Sequence, residues 1–246
     1  DDAGRFGWTV HNWWPMSYSP ATGLTYVPIT DRRKEEPRAG QLPFIGRLVA
    51  WDAVSGSSRW SVALPIAVNS GVLSTAGNLV FEGTAAGNFE TYRADNGVKL
   101  WSFAAQTGVM AGPVTYTVNG EQYVAVLAGW GGVFPLATGE VSFKSGHVRN
   151  ISRMLVFKLG GKTTLPPLPD VEAQVLNPPP SRASAATIRR GEQLYQRYCG
   201  ACHGDVAVSG GVLPDLRYSS ALASDQWFYV VLGGMLRSDG MVSFSK

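Results

Sequence analysis

The sequence predicts a mostly β, propeller-type portion followed by a small α-helical domain. Three observations carry that prediction: a repeat with a period of 41 residues, a Pro-rich break after it, and a helical tail that holds both cysteines of the chain. The repeat reads "GRLVAWDAVSGSSRW", ending at Trp60, and "GNFETYRADNGVKLW", ending at Trp101. Each copy is a glycine, a strand, a polar turn closed by a second glycine, three residues and a tryptophan. Gly56 and Gly97 are 41 residues apart, as are the two tryptophans. A period near ~40 with short strands is that of a propeller blade, whose sheet cannot bury both faces alone and must stack on its neighbours. One large aromatic per blade can dock between neighbours, so Trp60 and Trp101 are assigned to blade packing. A third, weaker copy of the turn is "SPATG", ending at Gly23 without a tryptophan.

The other elements of residues 1–162 fit the same reading. "GLTYVPIT", "GNLVFEG" and "EQYVAVLAGW" are β-branched and aromatic runs bounded by Gly, Asn and Pro. Asn119-Gly120 between two apolar runs predicts a tight hairpin. This length holds at most four blades, too few to close a ring of this period, so further blades are expected upstream. The chain opens at Asp1 and stops after "MVSFSK", and is read as a piece of a longer or processed polypeptide. Residues 163–187 contain six prolines and read as a stiff, extended linker. Residues 188–246 form the third unit, and "ATIRRGEQLYQRYCGACHG" predicts a helix with Ile188, Leu194, Tyr195 and Tyr198 on one rough face.

Composition narrows the function classes. Hydrophobic residues make up 45% and charged residues 16%, enough for a sizeable core. A net charge of +3 is too mild to argue for a nucleic-acid partner, and "DRRK" at 31–34 reads as a solvated loop. No apolar run approaches the ~20 residues that span a bilayer.

The chemistry of the tail is concentrated in Cys199-Gly-Ala-Cys202-His203, the C-x-x-C-H pattern of c-type haem attachment. Two thiols three apart on a helical turn can each bond one haem vinyl group, and the next residue carries an imidazole under the iron. A structural zinc site would need four ligands, and the other histidines, His11 and His147, are far away in sequence. A thioredoxin-like pair expects a βαβ context, which is absent, and a lone disulfide leaves His203 unexplained. Electron-transfer haems commonly take Met as second axial ligand. Met241 in "SDGMVSF" is the candidate, with Gly240 allowing a close loop and Phe244 available for packing; Met235 is read as packing. The absence of cysteines elsewhere suits an oxidising compartment, and a bacterial periplasm is expected.

Taken together, the tryptophan-bearing repeat, the linker and the haem segment resemble the quinohaemoprotein alcohol dehydrogenases, periplasmic enzymes that use pyrroloquinoline quinone (PQQ), calcium and haem c. The resemblance covers essentially the whole chain and is also carried by "HNWWPMSYSPATGLTYVP", "VAVLAGWGGVF" and "LVFKLGG". It implies the C-terminal blades of an eight-bladed-type propeller followed by a class I cytochrome c domain, with Met241 matching that class's ligand loop. Pro214 resembles the proline whose neighbouring carbonyl orients the proximal histidine; the alternative is an ordinary turn. By the same resemblance Asn12 and Trp13 in "HNWWPM", and Trp130 and Gly131 in "GWGG", are candidate PQQ contacts. Trp13 and Trp14 as core aromatics, and the glycines as a strand bulge, remain open. His11 has no partner that would make it catalytic.

The family's catalytic aspartate, calcium ligands and adjacent cysteine pair are expected upstream of residue 1. No catalytic residue is therefore assigned within this chain, which alone should not be a competent dehydrogenase. The parent is expected to oxidise an alcohol at PQQ and pass electrons through haem c to a copper protein, a cytochrome or a membrane quinone. Two rivals stay open: the same scaffold acting on another substrate, such as hydroxylation of a heterocycle, and an electron-transfer cytochrome with a non-catalytic propeller scaffold.

Overall fold

The computed structural model describes residues 14–32, 44–64, 66–67, 69–130, 150–168, 170, 175–204, 207–209 and 213–245. Two complete four-stranded antiparallel meanders come first. Sheet 1 is β1 (Ser17–Ser19), β2 (Leu24–Arg32), β3 (Phe44–Asp52) and β4 (Ser57–Leu64), in that spatial order. Sheet 2 is β5 (Asn69–Thr75), β6 (Leu79–Thr84), β7 (Asn88–Arg93) and β8 (Lys99–Ala104). Sheet 3 has three strands, β9 (Val114–Val118), β10 (Glu121–Ala128) and β11 (Arg153–Lys158). The tail carries α1 (Ala185–Tyr198), α2 (Gly200–His203) and α3 (Gln226–Val231), with short 3-10 turns between and after them. Among the described residues no helix is long and apolar enough to cross a membrane.

The repeat is exact at the level of backbone bonding. In each copy the turn glycine donates to the carbonyl four residues back, Gly56 to Asp52 and Gly97 to Arg93, both at 2.9 Å. Both glycines have positive φ, 64° and 74°. Each fourth strand then slips register by one residue just before its tryptophan, so Trp60 pairs with Ala50 and Trp101 with Thr91. A bulge at that position re-aims the side chain that follows it. The "SPATG" turn shares the local bond, Gly23 N to Ser19 O at 2.9 Å, but joins the first and second strands of its sheet. It is a turn of the same geometry at a different place in the blade. Asn119 and Gly120 both have positive φ, the primed turn expected of that hairpin.

Sheets 1 and 2 pack face to face through Tyr26, Leu48 and Ala50 on one side and Val72, Val80 and Tyr92 on the other. Trp60 closes this layer. Its Nε1 donates to Ala94 O at 3.0 Å, and its ring lies so close to Gly97 that an added Cβ would come within 2.7 Å of Cε3. Trp101 does the equivalent toward sheet 3, meeting Phe157 of β11 edge-on at 5.3 Å. It stays 41% exposed, and among the described residues no glycine is brought beneath it as Gly97 is brought beneath Trp60.

The layer between sheets 1 and 2 also buries charge-capable groups. Glu82 and Glu90 face each other across β6 and β7. Glu90 accepts from Lys99 Nζ at 2.6 Å and from the Tyr92 hydroxyl. Glu82 is fully buried and, among the described residues, neither carboxylate oxygen has a hydrogen-bond partner. Burial, and then the neighbouring Glu90, push its carboxyl well above the ordinary range.

Two expectations follow. Gly97→Ala combines a left-handed backbone with a ring collision and should cost about 2–4 kcal/mol. Gly56→Ala, with open space around it, should cost only about 1–2 kcal/mol; denaturant midpoints of the two variants check the difference. A carboxyl whose folded pKa is raised leaves stability intact below its unfolded pKa and drains it as pH climbs toward the folded value. Glu82→Gln should therefore raise the unfolding midpoint at pH 8 and change it little at pH 4, as read from melts across that range.

Candidate haem-attachment site

Helix α1 starts where Ser184 Oγ accepts the Thr187 amide at 3.2 Å. At its end the chain tightens without breaking. The Cys199 amide donates to Tyr195 O at 2.7 Å, the His203 amide to Cys199 O at 2.9 Å, and the Gly204 amide to Gly200 O at 3.0 Å. Gly204 then leaves the helix at φ 88°, and the Tyr195 hydroxyl ties its carbonyl back to α1 at 2.9 Å. The two thiols thus lie a helical turn apart, with the imidazole carried at the turn's end. Burial, and then the neighbouring Cys202, raise the Cys199 thiol.

His203 Nδ1 lies 3.2 Å from Pro214 O. A carbonyl only accepts, so Nδ1 carries the proton and the Nε2 lone pair is left for a metal. The loop that presents this carbonyl is braced from below. Asp215 accepts the Arg217 amide at 3.1 Å and its guanidinium at 2.9 and 2.7 Å, and also the Ser209 amide at 3.3 Å. Burial opposes the charge on Asp215, but the Arg217 contacts outweigh it and hold its carboxyl below the usual range. Ser209 Oγ donates to Leu213 O at 2.5 Å, one residue before the proline.

The Met241 loop is strapped to α3 and to α1. Gly240 turns it with φ 92°, the Phe244 amide donates to Val231 O at 3.0 Å, and Ser243 Oγ donates to Leu232 O at 2.9 Å. The Phe244 ring meets Tyr198 edge-on at 6.1 Å, directly beside Cys199. Met241 is half-buried, whereas Met235 is 54% exposed.

These residues fit a c-type haem by the chemistry of the donor set: paired thiols, an imidazole with a defined free nitrogen, and a thioether on the loop beside them. The apolar inventory fits as well. Among the described tail residues Ala221 is the only buried hydrophobic side chain, while Ile188, Tyr198, Phe228, Tyr229, Leu232 and Met235 are exposed. A tail this small has too little apolar core to fold on protein contacts alone, and a flat apolar group supplies one. Among the described residues no cluster of three or more His, Cys, Asp or Glu could hold a metal instead.

Of the candidate PQQ contacts, Asn12, Trp13 and Gly131 lie outside the described residues, as do His11 and His147. Trp130 is buried in a cluster with Trp14, Ile66, Ala67 and Ala85. Its ring lies over Gly108, its amide donates to Asn150 Oδ1 at 3.0 Å, and Pro15 O accepts the Val72 amide at 2.9 Å. The neighbours of both candidate segments, residues 14 and 130, are thus brought together at one end of sheet 2. Sequence reasoning missed Asp215 and Arg217. The signal was present in "PDLR", an acidic cap followed two residues later by a cation.

One chain joins blades of this form to a C-x-x-C-H tail, and each part matches a known family model. Residues 61–124 match the model of the glucose/ethanol/alcohol dehydrogenase β-propeller domain, and residues 186–246 that of cytochrome c oxidase cbb3-type subunit III. The chain is 43% identical over 258 residues to quinohemoprotein alcohol dehydrogenase ADH IIB of Pseudomonas putida, covering 96% of this chain and 37% of that one. It superposes on the structure of ADHIIG from the same organism with a TM-score of 0.82 at 41% identity, covering 96% of this chain and 39% of that one. Lupanine 17-hydroxylase [cytochrome c] of a Pseudomonas species is 34% identical, over 94% of this chain and 36% of its own length. The chain is homologous to the C-terminal portion of the quinohaemoprotein alcohol dehydrogenases, and spans little more than a third of the relatives it matches.

The depressed carboxyl of Asp215 contributes stability that is present above its unfolded pKa of about 3.9 and is lost as pH falls through the lower folded value. Asp215→Asn should flatten the acid limb of the tail's unfolding curve, measured by far-ultraviolet circular dichroism between pH 5 and pH 2.

Proposed function

We propose that the chain is the haem-bearing C-terminal part of a PQQ-dependent alcohol dehydrogenase acting outside the cytoplasm, in the periplasm. One observation carries this reading: a single chain joins quinoprotein blades to a C-x-x-C-H tail, and 96% of it aligns at 43% identity with a quinohemoprotein alcohol dehydrogenase. When bound, PQQ with its calcium ion supplies a two-electron acceptor for the alcohol, and haem c a one-electron carrier. The protein's own residues bind and orient them. Cys199 and Cys202 would hold the haem through thioethers, and His203 Nε2 and Met241 would be the residues that ligate its iron. The Pro214 carbonyl keeps the His203 tautomer, and Asp215 with Arg217 keeps that carbonyl in place.

Asn12, Trp13 and the main chain of Trp130 and Gly131 contribute to the PQQ pocket. Trp130 gives its ring to packing over Gly108 and its amide to Asn150 Oδ1. Calcium ligands and the general base belong to the remainder of the parent chain. The units run 1–162, 163–187 and 188–246, and electrons leave to a copper protein, a cytochrome or a membrane quinone. The likeness to lupanine 17-hydroxylase favours a second reading, in which the same scaffold serves the hydroxylation of a heterocycle.

The test is a visible spectrum of the full-length parent, loaded with PQQ and calcium, before and after a primary alcohol. Alcohol should convert a low-spin haem to its reduced form. A haem that stays oxidised across an alcohol panel, yet is reduced by dithionite, contradicts alcohol oxidation; reduction by an N-heterocycle alone moves the substrate to the second reading.

A further inference from the structure

We infer that Gln106 is the clamp that fixes where the Pro-rich linker leaves the blades, making it a positioning residue for the haem domain. Gln106 sits two residues past the end of β8 with φ 61°, a left-handed conformation unfavourable for a residue with a long side chain. Its neighbours hold it there. Ala105 is fully buried with its amide on Gly87 O at 2.8 Å, and Thr107 is fully buried with its hydroxyl accepting the Ile151 amide at 3.1 Å. The unusual backbone aims the amide side chain across the surface. Oε1 accepts from Arg153 Nη1 at 2.6 Å, and Nε2 donates to Pro166 O at 3.1 Å, 60 residues away in sequence.

Arg153 reaches the same spot from β11, so strands of sheets 2 and 3 and the linker meet on one side chain. Leu165, one residue before the bonded carbonyl, packs against the core cluster of Phe89, Val109 and Leu155. Apolar contact and hydrogen bond therefore hold consecutive linker residues. Pro166 and Pro167 restrict the backbone that follows, so a fixed point of departure sets the initial direction of the chain as well. The linker's effective length from that point to the Ser184 cap is therefore shorter than the 163–187 span of the proline-rich segment indicates. A shorter, directed tether keeps the haem domain at a higher effective concentration beside the blades. This role rests on the proposed quinone-to-haem enzyme.

Two variants separate the contacts. Gln106→Glu keeps an acceptor for Arg153 but sets a carboxylate against the Pro166 carbonyl; Gln106→Gly relieves the backbone and removes both contacts. In the full-length, cofactor-loaded protein, limited trypsin digestion at Lys162–Thr163 should quicken about fivefold in both variants, as loss of one hydrogen bond implies. Alcohol-driven haem reduction should slow while reduction of a dye directly at the quinone is unchanged. Wild-type cleavage rates in both variants overturn the clamp. Faster cleavage with wild-type haem reduction overturns its positioning role. If no alcohol reduces the wild-type haem, the functional reading fails, while the cleavage comparison still decides the clamp.

Discussion

An imidazole whose Nδ1–H donates a hydrogen bond to a fixed carbonyl has one lone pair to offer, in one direction. Much of the tail's structure serves that constraint at His203. The Pro214 carbonyl accepts the hydrogen bond, Asp215 and Arg217 brace the loop that carries it, and Ser209 ties the loop's start. On the other side the Tyr195 hydroxyl pins Gly204, so the residue after the histidine cannot drift from α1. Because the described tail has almost no apolar core, these polar ties would orient the site together with the contacts a prosthetic group contributes, not ahead of them. Binding energy from that group then adds to folding, as it does wherever a site and a fold form together.

The blades obey a different constraint. Each sheet has two faces and only its neighbours to cover them, so the inter-sheet layers decide stability. Between sheets 1 and 2 a tryptophan ring needs a glycine beneath it, and Trp60 over Gly97 meets that need. The same layer accepts a Glu82 whose carboxylate oxygens have no hydrogen-bond partner among the described residues, an unfavourable group that the surrounding packing of Tyr26, Leu48 and Val80 outweighs. Compared with it, Glu90 shows the usual solution, an anion bonded to a lysine and a tyrosine.

What was legible in the sequence were features whose chemistry is local. The 41-residue repeat survives as an identical turn and bulge, Asn119-Gly120 as a primed hairpin turn, and Cys199 to His203 as one continuous helical turn. Features that depend on partners distant in sequence were not. Glu82 reads as an ordinary polar strand residue until sheet 1 covers it. Gln106 reads as a loop residue until Arg153 and Pro166 arrive, 47 and 60 residues later. "SPATG" misled in the other direction, because one local turn geometry serves two positions in a blade. Trp130 shows the mixed case: its segment was singled out as a cofactor contact, and its ring proves to be part of the packing around Trp14.

The central claim is that Cys199 and Cys202 are covalent anchors of a haem whose iron takes His203. The most direct measurement is the intact mass of the protein produced in a host that matures c-type cytochromes, after denaturation and solvent extraction of free haem. The account predicts that one haem stays on the polypeptide, on the peptide spanning 198–217, and that Cys199→Ser with Cys202→Ser releases it. A wild-type chain of unmodified mass with two free thiols would contradict it.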